Sequence, residues 1–168
     1  MNYRSLRADE IECRIGQIKP NGLTLLLYKD ARTDARILDE MHGSFGWQCR
    51  FSEHKGTLFS AVGVRCGETD EWVWKEDAGA PSNMEAQKGE ASDAFKRACS
   101  KWGIGRELYT APFIWIPKDN ANIQQRNGSK LQCYDRFTVE KIKTEQGRIT
   151  GLAIRNDTMK KRVFVWTA

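Results

Sequence analysis

Lys96, Arg97 and Lys101 crowd one short stretch with Ser100, and Arg106 follows five residues on. Regularly spaced cations suit a polyanion, because they neutralise backbone phosphates and release condensed counterions. An arginine forks two hydrogen bonds onto one phosphate, whereas a lysine acts as a point charge. A solvated helix surface carries the same residue types, since exposed lysines are the norm. Lys88 differs from the rest, because it falls near the apolar arc of the same stretch. Either its stem lies along the core edge, or its ammonium meets a carboxylate such as Glu76 or Asp77.

Aromatic rings supply the other half of a single-strand site, since every base has a face that can stack regardless of sequence. Trp47, Trp72, Trp74, Trp102, Tyr109, Phe113 and Trp115 are all available. At strand or helix positions an aromatic is more often core, so none is assigned as a base stacker. A metal-dependent nuclease built on Asp70, Glu71, Glu76 and Asp77 is the enzymatic alternative. Those carboxylates sit in and after a turn, where they commonly serve solubility, and the chain is read as no enzyme. The sequence has no GxxxxGK[ST] phosphate loop. Cys13, Cys49, Cys66, Cys99 and Cys133 are scattered singly, and only His42 and His54 could join them. Neither a disulfide framework nor a zinc set follows, so reduced thiols and no cofactor are expected.

The elements that must position these residues can be read from periodicity. IECRIGQI at 11–18 and TLLLY after Asn21-Gly22 read as two strands. From Asp30 to Met41, Ala31, Ala35, Leu38 and Met41 recur at helical spacing, with Gly43 as the stop and Arg32 and Arg36 on the surface. WQCRFSEH, TLFSAVGVRC and EWVWKED then form a three-stranded antiparallel meander whose first turn holds Lys55-Gly56. Ser82-Asn83-Met84-Glu85 has the capping-box pattern, and a helix should run from it to Trp102, ended by Gly103. On that helix Met84, Ala91, Phe95, Ala98, Cys99 and Trp102 share the apolar side. Pro112 and Pro117 bracket a short extended piece. KDNANIQQRNGSK has little to bury and reads as a loop, and FTVEKIKT, RITGLAIR and RVFVW suggest a second small meander.

The fold class expected is α+β: an antiparallel β-meander packed on one long helix in a β-β-β-α core, with a short first helix and a C-terminal β-rich segment. The core should occupy residues 1–117, a flexible loop 118–130, and an extension of the same domain 131–168. With 168 residues, 40% of them hydrophobic, one ordinary domain can form. The 27 Lys and Arg against 22 Asp and Glu leave a net charge of +5, which favours a polyanionic partner modestly. No secretory signal and no run of 18 apolar residues is visible, so no membrane is expected. A cytoplasmic place, in a bacterial host or associated with the nucleoid, fits these readings.

The stretch KEDAGAPSNMEAQKGEASDAFKRACSKWGIGRELY, residues 75–109, resembles the signature region of the Rad52-type single-strand annealing proteins, nearest to their phage Sak group. Glu76-Asp77 with Gly79, Lys88, Ser92 to Ala98, Lys101 to Arg106 and Leu108-Tyr109 carry the likeness, which extends over residues 30–110. The resemblance implies subunits assembled side by side into rings or helical filaments, with single-stranded DNA laid in a basic groove. It implies that Lys96 and Arg97 face the DNA backbone, and that Lys55 at the hairpin tip belongs to a second, outer DNA site. Arg32 or Arg36 fills the role of an arginine near the start of the first helix. A further arginine of the family is Ser100 here, with only Lys101 beside it to substitute. The function implied is ATP-independent annealing in homologous recombination and repair, with single-stranded DNA, further copies of the chain, and a single-strand-binding protein or partner exonuclease as partners. The competing reading is a monomeric nucleic-acid-binding module, for RNA or DNA, that anneals nothing.

Overall fold

The computed structural model describes residues 3–65, 67, 70–80, 86–125 and 130–168, the side chains of 86–88 excepted. The capping-box expectation at Ser82 to Glu85 lies outside these residues. In chain order the elements are β1 (Glu12–Lys19), β2 (Gly22–Tyr28), α1 (Ala31–His42), β3 (Trp47–His54), β4 (Thr57–Arg65), β5 (Trp72–Ala78), α2 (Ala86–Trp102), β6 (Ile114–Pro117), β7 (Gln124–Gln125), β8 (Leu131–Gln132), β9 (Phe137–Glu145), β10 (Arg148–Asn156) and β11 (Lys161–Thr167). The fold is α+β, with antiparallel sheets and, among the described residues, two α-helices. It divides into two compact units, Met1–Arg4 with Asp30–Arg106, and Ser5–Lys29 with Glu107–Ala168.

In the first unit β3, β4 and β5 form a three-stranded sheet in sequence order. Lys55 and Gly56 turn the β3-β4 hairpin with φ of 53° and 76°, the paired left-handed conformation that a two-residue hairpin turn requires. Asp30 caps α1 by accepting from the Arg32 amide at 2.8 Å, which satisfies one of the amides a helix start leaves over. The buried face of α1 is Thr33, Asp34, Ile37 and Leu38. It is rotated from the expected stripe: Leu38 is shared, but Met41 is 41% exposed.

The α2 helix buries Ala94, Phe95, Ala98 and Cys99 and lies against β4 and β5. Ser60, Val62 and Val64 alternate along β4 as the buried side chains facing the helix, and Gly63 between them is buried as well. Phe95 meets Trp47 with ring centroids 6.0 Å apart, and the Trp102 indole donates to the Val62 carbonyl at 3.0 Å. Each large apolar side chain buried in this way contributes about 1.5–3 kcal/mol. At the exit of β5 the backbone passes so close to α2 that a Cβ on Gly79 would collide with the Glu90 carbonyl oxygen. That close approach gives the glycine of the signature its physical reason.

In the second unit six strands run in the order β11-β10-β9-β1-β2-β6. The C-terminal meander is joined to the N-terminal hairpin through the pair Glu12 and Thr138, and β11 also approaches β6. Residues 118–130, expected as a loop, contain a 3-10 turn over Lys118–Asn120, and β7 pairs with β8 across their far end. Ala121 is buried there, and Asp135 accepts from both the backbone and the side chain of Asn122 at 2.8 Å. Among the described residues no helix is long and apolar enough to cross a membrane.

Candidate nucleic-acid interface

Cross-strand partners share a sheet face, and the register sets Lys75 beside Val62 and Asp77 beside Ser60. Both β5 side chains therefore point to the side covered by α2. On the helix, Glu90, Asp93, Arg97 and Lys101 recur at spacings of three and four and so form one stripe. That stripe is stitched to the sheet along its length. Glu90 accepts from the Leu58 amide at 3.1 Å, and Asp93 accepts from the Ala80 amide at 3.0 Å. Arg97 donates to Asp77 Oδ1 at 3.3 Å, and Lys101 Nζ stands 3.5 Å from Asp77 Oδ2 while donating to the Glu76 carbonyl at 2.6 Å. Lys75 donates to the Lys101 carbonyl at 3.1 Å, with its ammonium 4.4 Å from the centre of the Trp102 ring.

Arg97 and Lys101 thus share one carboxylate, yet each side chain remains 49% exposed while Asp77 is 19% exposed. Two positive charges against one negative charge leave an excess at the surface. Burial pushes the Asp77 carboxyl upward, but the Ala78 amide and the charges of Arg97 and Lys101 outweigh it, so the group sits below its ordinary value. A depressed carboxylate stabilises the fold above its unfolded pKa, near 4, and that contribution disappears as pH falls through the native value. Asp77→Asn should therefore flatten the fall in melting temperature below about pH 4. An unchanged acid limb in thermal unfolding would show that the carboxylate is not engaged.

Arg106 serves the helix itself. Its guanidinium donates to the Ser100 carbonyl at 2.9 Å and the Lys101 carbonyl at 2.7 Å, answering acceptors that a helix end leaves unmatched and opposing the negative end of the dipole. Arg106→Ala should cost about 1 kcal/mol and speed amide exchange around Cys99 to Gly103, measured by hydrogen exchange. Lys96 is half-buried, 100° around the helix from Arg97. Arg32 and Arg36 are exposed one turn apart on α1, and the Arg32 guanidinium stands 3.8 Å from Asp30. Lys88 lies in the first turns of α2, its side chain outside the described residues. Asp77, one of the carboxylates considered for it, holds Arg97 and Lys101 instead.

The cations fall into two groups. Lys55 is at the hairpin tip, at the end of the sheet where Leu58 meets Glu90, whereas Lys101 meets Asp77 and Glu76 further along. Glu90 and Lys101 are separated by about 16 Å of helix. Asp77 as an anchor was missed by sequence reasoning, although the alternation of β5 carries the signal: residues 75 and 77 share a face. Of the carboxylates considered for a nuclease, Asp70 is bound to Arg65 at 2.6 Å. Among the described residues no three His, Cys, Asp or Glu side chains are grouped to hold a metal ion.

The first unit is thus an antiparallel sheet backed by a helix, with Arg97 and Lys101 held half exposed at their junction. The chain belongs to the Rad52/22 family of double-strand break repair proteins: residues 4–127 match the family model. That match reaches beyond residues 30–110 at both ends. The chain is also 49% identical over 51 residues to the single-stranded DNA-binding protein DdrA of Deinococcus radiodurans. The aligned stretch is 29% of this chain and spans about a quarter, 24%, of the relative's length. No solved structure matches the chain significantly.

Proposed function

We propose that the chain binds single-stranded DNA along the C-terminal half of α2 and anneals complementary strands as an oligomer, without ATP and without covalent chemistry. The observation that carries this reading is the sharing of Asp77 by Arg97 and Lys101, which holds two half-exposed cations in place with positive charge in excess. Cations fixed in advance lose less conformational freedom when a phosphate arrives, so more of the contact energy appears as affinity. Family membership and the likeness to a single-stranded DNA-binding protein of Deinococcus point to the same ligand.

One subunit offers few contacts, and an array of subunits gives a long strand an avidity that none provides singly. Phosphates are held while bases remain reachable, and duplex formation supplies the driving free energy. In this scheme the protein is a phage-type recombinase of the Sak kind, and Lys55 serves a second strand. Annealing of labelled complementary oligonucleotides, followed without ATP and alongside sedimentation, tests the proposal. Accelerated pairing by a species many times 19.2 kDa is expected. A mass equal to one chain, with or without DNA, and no acceleration would leave a monomeric binding module. Magnesium-dependent cleavage abolished by a chelator would overturn the non-catalytic part.

A further inference from the structure

The three-stranded sheet of the first unit has a second face, turned away from α2. Register places Arg50 beside Ala61 and Glu76, and Gln48 beside Gly63 and Trp74, with Trp72 beside Arg65. On β3 the side chains of this face, including Arg50 and His54, are exposed. The open face of an antiparallel sheet is ordinarily polar. Here it carries two indoles and a phenyl ring. Trp74 lies flat across Gly63, where an added Cβ would come within 2.8 Å of the ring atoms. The Arg50 guanidinium covers the indole at 4.2 Å from the ring centre. Trp72 adjoins at 6.0 Å and 32°, and four residues along β3 from Arg50 the His54 ring meets that of Phe59 edge to face at 5.5 Å.

Neither core packing nor charge pairing accounts for Arg50. Its side chain is exposed, and among the described residues it meets no carboxylate and lies against the Trp74 ring. A planar cation held over an indole leaves its outer surface open to a further ring, and bases stack on arginine planes as they do on aromatics. The positive charge, unmatched by an acid, suits a ligand that brings its own phosphate. Arg50 and His54 stand about 13 Å apart along the strand, at roughly 3.3 Å per residue. A stretched single strand can therefore lay bases at both.

We propose that this face is a base-stacking site for single-stranded nucleic acid, with the Arg50–Trp74 pair as its centre and the His54–Phe59 pair as its continuation. The inference rests on the single-strand-binding reading above and adds to it a contact with bases, where α2 contacts phosphates. It makes a prediction that phosphate contacts alone do not: the protein should distinguish a strand with bases from one without.

The test compares oligodeoxythymidylate with an abasic strand of equal length and charge by fluorescence anisotropy. Wild-type protein should prefer the base-bearing strand roughly ten-fold, the effect of one stacked base. Trp74→Leu should bring that preference close to one while changing abasic binding less than two-fold, and Arg50→Ala should do the same to the preference while weakening abasic binding a few-fold through its lost charge. Lys96→Ala with Arg97→Ala should weaken both strands equally. Equal wild-type affinity for the two strands overturns the stacking site alone, whereas no binding to either overturns the single-strand reading itself. Should Trp74→Leu fail to fold, photocrosslinking of wild-type protein to an iododeoxyuridine strand decides. Adducts on Trp72 or Trp74 support the site, and adducts confined to other peptides overturn it. A change of sedimentation mass in Arg50→Ala, with strand preference intact, would assign the face to a second copy and overturn the proposal.

Discussion

Replacing Lys96 and Arg97 together by alanine is expected to weaken single-strand binding roughly 100-fold at low salt. The figure follows from two charge-assisted contacts at about 1.5 kcal/mol each, the lower end for hydrogen bonds to charged groups, because Arg97 is half exposed. The salt dependence should flatten with it. Each phosphate contact on a single strand contributes about 0.7 to the slope of log K against log salt, so two lost contacts remove roughly 1.4. Fold stability should barely change, since a surface ion pair such as Arg97 with Asp77 is worth about 0–1 kcal/mol. A second variant with the same change in net charge separates local contact from general attraction. Lys141 and Lys143 are exposed on β9 in the other unit, and their replacement by alanine should cost only a few-fold. Titrations at several salt concentrations check this. Equal losses in the two double variants would reduce the site to bulk charge, and an unchanged affinity in the first would refute the helix assignment.

What could be read from the residues, and what could not, divides by the range of the interaction responsible. Strand alternation and helical spacing are local, and they located both strands of the N-terminal hairpin, the meander, α1 and the end of α2 at Gly103. The Lys55-Gly56 turn was legible because a two-residue turn demands those conformations. The junction of Glu12 with Thr138 was not, since no local pattern says which strand a distant strand will join. The same holds for residues 118–130, whose polar composition concealed that Asn122 is bound by Asp135. Within the site, position was legible and role was not. Arg106 looked like another cation for DNA, yet a basic residue just beyond a glycine stop is also what a helix C-terminus recruits. Arg97 and Lys101 were found from spacing, but the carboxylate that holds them comes from β5. The Arg50–Trp74 stack needs β4 between its two strands and a glycine beneath the ring, a three-strand relation that composition cannot express.

Asn156→Asp should destabilise the second unit by about 3–5 kcal/mol at neutral pH, the range for leaving a buried charge uncompensated, and the defect should shrink on acidification. Asn156 is fully buried, and its amide donates to Asp135 Oδ2 at 2.7 Å and to the Asn120 carbonyl at 3.0 Å. Its own oxygen accepts from the Met159 amide at 3.2 Å. The substitution turns a donor into an acceptor and sets two carboxyls against each other at hydrogen-bond distance. Both cannot ionise there cheaply, so one proton is retained and the apparent pKa of the pair rises. A raised native pKa gives stability that is complete below the unfolded value, near 4, and is lost as pH climbs. The wild-type protein slopes the other way. Burial raises the Asp135 carboxyl, but the Asn122 amide and the two asparagine side chains bring it below its ordinary range, so its contribution is present above about pH 4 and fades in acid. Denaturant unfolding at pH 4.5 and 7.5 should therefore show the two proteins converging at the lower value. Asn156→Ala, which loses the same donor without adding a charge, should keep a gap that does not close. If Asn156→Asp were equally defective at both pH values, the loss would lie in packing, and the Asp135 network would not be what holds residues 120–122 to the strands.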